Sequence, residues 1–319
     1  MDEGRFEVEV LPAGTGPDGD GHELVVHADL ARLRREVAAP AIVREAGPGA
    51  EYAYADFFKA KISNPNTRKA YRRAVDRFLG WCRLRGLALR EVTSFVVGDY
   101  LEHHLNDKDG RPLAAPSKKQ HLAGLRHFFD NQQMYHGVAI NPASSVRGPK
   151  YSAREGKTPA FDDRQVRDLL DSIGDGDVVA IRDKTLLMIL AYTAARAGAV
   201  AGLRTVDYVT DGRSWYFHFG EKGGKLHRVP VRHDLQLQME QNIRAAGLVG
   251  RSDKAPLFRT ARKNRRDLTD RGLNGNDLLR IVKRRLKGAG LPPGAFCCHS
   301  FRATTATNLL KLKVAQEQV

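Results

Sequence analysis

A mainly α protein with two folded bodies, the second carrying a small antiparallel β-sheet, is what the sequence predicts. Three observations carry that reading. The 319 residues suit about two domains of ordinary size. Apolar residues recur at helical spacing through most of the chain after residue 50. Only residues 214–231 read as two strands joined by a glycine-rich turn, SWYFHF, GEKGGK and LHRVPV.

In chain order, residues 1–50 are expected to be a poorly ordered acidic leader. LPAGTGPDGDG and EAGPGAEY are rich in chain breakers, with at most a short helix between, over 28–37. Residues 51–147 read as a helical bundle. Asn64 or Asn66 caps a helix running to about Leu84, with Gly86 beyond it. Tyr71, Val75, Phe78, Leu79 and Cys82 share its apolar face, and Arg68, Lys69, Arg72, Arg73 and Arg77 lie on the other. Thr93 or Ser94 opens a second helix. Ser117 opens a third, with Leu122, Leu125, Phe128 and Phe129 inward and Lys118, Lys119 and Arg126 outward. Asn141-Pro142 starts a short helical turn.

Residues 148–160, within RGPKYSAREGKTPA, form an extended basic linker with Arg147 and Lys150 at its start. Residues 161–319 form the second body. Asp162 or Asp163 caps a helix to Ile173, and a more apolar helix covers 178–195. After the strand pair come helices near 234–246, 275–289 and 299–312. The segment RTARKNRRDLTDRG is expected to be a loop. LLRIVKRRLKG reads as an amphipathic helix that packs through Leu278, Leu279, Ile281, Val282 and Leu286.

Charge narrows the function. Residues 1–50 hold 5 basic and 10 acidic residues, whereas residues 51–319 hold 47 and 27, a net charge of +20 on the folded body. That excess points to a polyanion, most simply nucleic acid, against the blander reading of a positive, soluble surface. It is densest over 259–287, with 11 basic and 3 acidic residues, where Arg262, Lys263, Arg265 and Arg266 are candidates for DNA-backbone contact. No run approaches the roughly 18 apolar residues of a membrane helix. The acidic start MDEGRFEVEV lacks signal-peptide order. Three cysteines, Cys82, Cys297 and Cys298, are too few for a disulfide framework and fit a reducing, cytoplasmic compartment. Cys297-Cys298-His299 has no second ligand pair at zinc spacing.

Four residues matter together. Arg196 ends the apolar helix in TAARAGAVAGL, Lys222 sits in the hairpin tip, and His299 and Arg302 share a helix face in HSFR. Singly, each has a structural explanation: a helix-end cation, a solvated turn lysine, a chance HxxR. In this order, behind a basic helical bundle and linker, they resemble the tyrosine recombinase (phage integrase) family over residues 57–319. NPNTRKAYRRAVDRFLGWC, PSKKQHLAGLRHFFD, INPASSVRGPK, GEKGGKLHRVPV and CCHSFRATTATNLL are each similar to a family motif.

The resemblance implies a SAM-like helical core-binding domain followed by an integrase catalytic domain. Its partners would be duplex DNA and other recombinase subunits, as a tetramer on paired sites, at the nucleoid. Neither a membrane nor a small-molecule substrate is implied. Arg196 and Arg302 would clamp the scissile phosphate, Lys222 would protonate the leaving 5′ oxygen, and His299 would assist at the nucleophile. Two planar guanidiniums suit the charge that builds on non-bridging oxygens, so no metal or cofactor is called for. DNA contact would also fall to Arg68, Arg72, Lys118, Lys119, Arg126, Arg147, Lys150 and Lys225.

Two positions depart from the family pattern. Ala199 stands where an acidic residue is common. None of the 17 residues after Arg302 is Tyr, His or Trp, and the last tyrosine, Tyr216, falls inside a predicted strand. The expectation is therefore a chain that stops before its nucleophile. The rival is a DNA-binding protein that occupies recombination sites without catalysis. Type IB topoisomerases share the constellation, but the separate helical domain and linker favour a recombinase.

Overall fold

The computed structural model describes residues 36–152, 158–220, 226–251, 254–263 and 266–311. The chain divides into two compact units, one up to residue 153 and one from residue 154. Among the described residues no helix is long and apolar enough to cross a membrane.

The first unit is all helical. It begins earlier than the composition suggested, because residues 36–50 are part of it. Helix α1 (Ala41–Glu45) buries Ile42 and Val43, and α2 (Pro48–Asp56) buries Ala50, Ala53 and Tyr54. The Gly47-Pro48 pair that reads as a breaker is a helix start: Gly47 takes φ 109° and Pro48 occupies the first turn, where its missing N–H costs nothing. The short helix expected over 28–37 lies almost wholly outside the described residues.

Helix α3 (Pro65–Leu84) follows the expected boundaries. The Asn64 side chain accepts from the Asn66 and Thr67 N–H groups, and Gly86 (φ 69°) reverses the chain at the other end. Helix α4 (Ser94–Asp99), opened by the Thr93 side chain, widens into a π-turn at Tyr100–His104. Helix α5 (Ala115–Met134) begins two residues before Ser117, with Pro116 in its first turn. It crosses α3 closely, since a Cβ on Gly124 would sit 3.2 Å from the Tyr71 ring. Phe78, Phe128 and Phe129 are completely buried in this core, each contributing roughly 1.5–3 kcal/mol by burial. Asn141-Pro142 makes a turn rather than a helix.

The second unit is organised around α7 (Val178–Thr193). This helix is apolar on nearly every side and is buried accordingly. Helix α6 (Asp163–Asp171) packs on it, started by a reciprocal capping box between Asp162 and Gln165. After α7 comes a short helix that the sequence reading missed, α8 (Ala197–Ala201). A three-stranded antiparallel sheet follows in the order β1 (Tyr208–Thr210), β2 (Trp215–Gly220), β3 (Leu226–Pro230). Phe217 pairs with Tyr208 and Val229, which points it into the core.

Helix α9 (His233–Ala245) then covers α7. The segment expected to be a loop contains a hairpin, β4 (Arg259–Ala261) and β5 (Leu268–Gly272), closed by a contact between the Thr260 and Thr269 hydroxyls. Leu257, Phe258 and Leu273 anchor its base in the core, and Arg259 turns inward to the Ala246 carbonyl, while Arg262, Lys263, Arg266, Asp270 and Arg271 are exposed. Helices α10 (Gly275–Gly288) and α11 (Cys298–Lys311) complete the unit. On α10, Leu278, Ile281, Val282 and Leu286 are buried as expected, but Leu279 is exposed.

Candidate phosphate and DNA site

The second unit brings two of the singled-out segments together. Helix α7 ends because Ala194 adopts the left-handed conformation (φ 52°, ψ 16°), which turns the chain sharply. Arg196 follows at the N-cap position of α8 and is exposed. Helix α11 runs past this turn. Thr305 donates from Oγ1 to the Ala191 carbonyl (2.8 Å), and Arg302 donates from Nη1 to the Ala194 carbonyl (2.9 Å). The Arg302 guanidinium is thereby fixed two residues from Arg196, although the two lie 106 positions apart in the chain. His299 sits one turn before Arg302 on α11 and is exposed, with no hydrogen bond among the described residues.

The start of α11 is held independently. Ser300 Oγ accepts from the Cys297 N–H, and Thr304 Oγ1 accepts from the Phe161 N–H (2.7 Å). The Phe161 ring stacks on Phe296 at 4.3 Å and tilts against Phe301 at 4.7 Å. Burial pushes the Cys298 thiol up to about 11, so it is an inert packing group at neutral pH.

Strand β2 packs against α8, so the β2–β3 hairpin rises beside the Arg196 turn. Its tip, with Lys222 and Lys225, lies outside the described residues, as does Arg265. Tyr216 is paired with Pro230 in mid-strand, and the Arg228 guanidinium lies 3.6 Å above its ring. Asp211, held down to about 2 mainly by the Ser214 and Arg213 N–H groups and then by Tyr216, anchors both residues. The other tyrosines of this unit are also engaged. Burial raises the Tyr192 phenol, which donates to Asp234 (3.0 Å), and burial also raises the Tyr208 phenol, whose ring stacks on Trp215 at 4.4 Å.

The basic residues of the first unit divide into two groups. Arg68 donates from Nε and Nη2 to the Ile62 carbonyl (3.0 and 2.6 Å), and Arg126 donates to the Ala143 and Val146 carbonyls. These guanidiniums hold backbone segments. Arg72 lies 4.6 Å over the Phe58 ring, half-buried. Lys118 and Lys119 reach the Glu102 and Tyr151 carbonyls at 3.3 Å each. Lys69, Arg73, Arg147 and Lys150 are exposed. In the second unit, Arg262, Lys263 and Arg266 are exposed at the end of the β4–β5 hairpin.

Sequence reasoning missed a buried charge centre on α7. Asp183 is fully buried and accepts from Arg182 Nε and Nη2 (3.0 and 2.6 Å), Arg284 Nη2 (2.5 Å) and Arg285 Nε (2.8 Å). The RD pair inside an apolar helix was its only sequence signal. It ties α10, whose Gly275 touches Gly198 of α8, to the middle of α7.

The chain is similar to known proteins over most of its length. The phage integrase family matches residues 160–319, and the N-terminal SAM-like domain of phage integrases matches residues 54–132. Tyrosine recombinase XerC 2 of Ralstonia nicotianae is 28% identical over 254 residues, 77% of this chain and 69% of that protein. Tyrosine recombinase XerD of Corynebacterium glutamicum is 28% identical over 264 residues, 79% of this chain and 82% of that protein. Among solved structures, the XerH recombinase in a post-cleavage complex with difH has a TM-score of 0.62 at 16% identity, covering 89% of this chain and 84% of that one. The lambda integrase tetramer on a Holliday junction has a TM-score of 0.58 at 15% identity, covering 92% and 84%. At those identities the likeness to the two structures is one of fold.

Proposed function

The chain belongs to the phage integrase family of tyrosine recombinases, and on that premise we propose that its second unit holds a scissile DNA phosphate between Arg196 and Arg302. The observation that carries the reading is the Arg302–Ala194 hydrogen bond, which fixes one guanidinium at the turn bearing the other. Two arginines so placed offer planar, permanent donors to the non-bridging oxygens as negative charge builds in the transition state. His299, exposed one turn away on α11, is assigned a hydrogen bond to the same phosphate and the nucleophile's proton. Lys222, on the hairpin tip, is assigned the proton that the leaving 5′ oxygen takes up.

In the full reaction a tyrosine oxygen attacks phosphorus and the 5′ oxygen departs. The 3′-phosphotyrosyl link keeps the bond energy for rejoining, within a tetramer on paired duplex sites. No tyrosine follows Arg302 in the 319 residues. Tyr192, Tyr208 and Tyr216 are each engaged elsewhere and poorly suited to serve as the nucleophile. The second reading is a protein that occupies DNA sites without cutting them. Lys119, Arg147, Lys150, Arg262, Lys263 and Arg266 supply DNA-backbone contact in either case, with Lys225 and Arg265. Arg68 and Arg126 act indirectly, through the backbone they hold.

The test is a duplex carrying a nick that traps covalent intermediates. The 319-residue chain should bind it and form no adduct. A chain extended with a relative's tyrosine-bearing segment should form a 3′-phosphotyrosyl adduct that Arg302→Ala abolishes. An adduct from the 319-residue chain would refute the assignment of the nucleophile. Absence of binding at low salt would refute the DNA-binding reading altogether.

A further inference from the structure

Between α10 and α11 the chain folds back around one lysine. Helix α10 ends in a Schellman turn: Leu291 N–H bonds the Leu286 carbonyl, and Gly290 N–H the Lys287 carbonyl, with Gly290 at φ 72°. Pro292 and Pro293 then stiffen a loop that runs back along α10 to Phe296. Lys283, half-buried on α10, donates from Nζ to the Pro293 carbonyl and to the Phe296 carbonyl (2.7 Å). Two of its three ammonium protons thus hold the loop whose end is the start of α11.

We infer that Lys283 is the positioning residue for His299, acting through the Phe296 and Pro293 carbonyls. The inference rests on the phosphate-site reading above. Its logic is one of unequal anchoring. Arg302 is tied to Ala194 and Thr305 to Ala191, so the middle of α11 keeps its place by its own side chains. His299 has no such bond. Its imidazole points wherever the first turn of α11 points, and that turn is set by the loop that ends three residues earlier at Phe296. Without the ammonium, two half-buried carbonyls lose their donor and must turn toward water, carrying the helix start with them. The Cys297–Ser300 bond lies inside that first turn and moves with it, and the Phe161–Phe296 stack resists by packing, which fixes a ring and leaves the carbonyl direction free.

The test is nitrogen-15 NMR on the 319-residue chain, reading the His299 imidazole and the backbone amides of His299, Arg196 and Thr305. In the unmodified chain His299 should give one set of signals. Lys283→Met, which keeps the stem and loses the donors, should split or broaden the His299 signals while Arg196 and Thr305 stay in place. Lys283→Arg, which keeps cation and donors, should restore the single set. The inference is overturned if Lys283→Met leaves His299 unchanged, if all three residues shift together as in general loosening, or if Lys283→Arg behaves like Lys283→Met. Should Lys283→Met not fold, the unmodified chain decides. An ammonium bonded to two carbonyls is protected and gives a Nζ signal at neutral pH, and its absence would refute the tie. Inorganic phosphate is added last. If it fails to shift His299 in the unmodified chain, the phosphate-site reading fails, while the coupling read without phosphate stands.

Discussion

Asp183→Asn should destabilise the second unit strongly, and the structure sets the scale. One carboxylate serves three guanidiniums, and its side chain is 0% exposed. The three arginines would not suffer equally. Arg284 and Arg285 are 34% and 24% exposed and can turn to water, so each loses a solvated ion pair of modest worth. Arg182 is 2% exposed, and its other acceptor is the neutral Arg259 carbonyl at 2.7 Å. Its charge would be left buried with half its partners. Removing one member of such a buried pair costs about 3–5 kcal/mol. For a unit of this size each kcal/mol lowers Tm by about 2–4 °C, so the second unit should melt roughly 6–20 °C lower. Arg284→Ala should cost a small fraction of that. Calorimetry resolves the two units, and the first should be unmoved. If Asp183→Asn melts within about 2 °C of the unmodified chain, the buried-charge reasoning fails.

Four further outcomes follow from the same structure. DNA affinity should fall by about 10³–10⁵ between 50 and 200 mM salt if 6–10 phosphates are contacted, measured by fluorescence anisotropy; a flat response would remove the electrostatic interface. His121, buried on α5, is pushed down to about 4 by burial with Arg77 and Arg73 adding, against an ordinary 6.5. The unfolded chain therefore binds the extra proton, so stability of the first unit is full above about pH 6.5 and drains away as pH falls toward 4; denaturant titrations at each pH should show this slope flatten in His121→Gln. Arg126→Ala should cost the first unit about 1.5–3 kcal/mol by releasing the Ala143 and Val146 carbonyls, with Arg126→Lys recovering only part, by urea unfolding. In a chain supplied with the tyrosine segment, Lys222→Ala should cleave normal DNA slowly and regain rate on a 5′-bridging phosphorothiolate, whose sulfur leaves without a proton; equal slowness on both would refute the general-acid role.

The parts of the fold legible in the sequence are those whose burial is periodic. Phe78, Leu79 and Cys82 mark α3, and the apolar stretch over 185–195 marks α7. Where burial does not set the pattern, reading failed. The β4–β5 hairpin presents arginines and lysines to solvent along most of its length, which looks like a loop. Strand β1 is three residues long, yet Asp211-Gly212 beside the aromatic run was a hairpin signal in plain view, with Gly212 at φ 89°. Residues 36–50 fold although their composition suggests a leader, because Gly47-Pro48 serves as a helix start. For the site, the residue types and their order were legible. The division of labour among arginines was not, since an exposed helix face in the sequence does not say whether a guanidinium meets DNA or the protein's own carbonyls.

That last distinction shapes the chemistry of the site. A guanidinium has five N–H donors, and Arg302 spends one on the Ala194 carbonyl. On the phosphate-site reading, the bond removes rotamer freedom before a phosphate arrives and leaves the other donors for it, so the cost of ordering is met in the folded protein. Ala194 is itself part of the device. Its left-handed conformation costs a non-glycine residue of order 1 kcal/mol or more, which the surrounding packing must sustain. It turns the carbonyl of the last α7 turn toward α11 and sends the chain directly into Arg196. One left-handed residue thus ends a buried helix, presents an acceptor to Arg302 and sends the chain into Arg196. On the proposed phosphate-site reading, such a site depends on backbone direction as much as on side-chain identity, which is why Lys283 is assigned to it although it touches no phosphate.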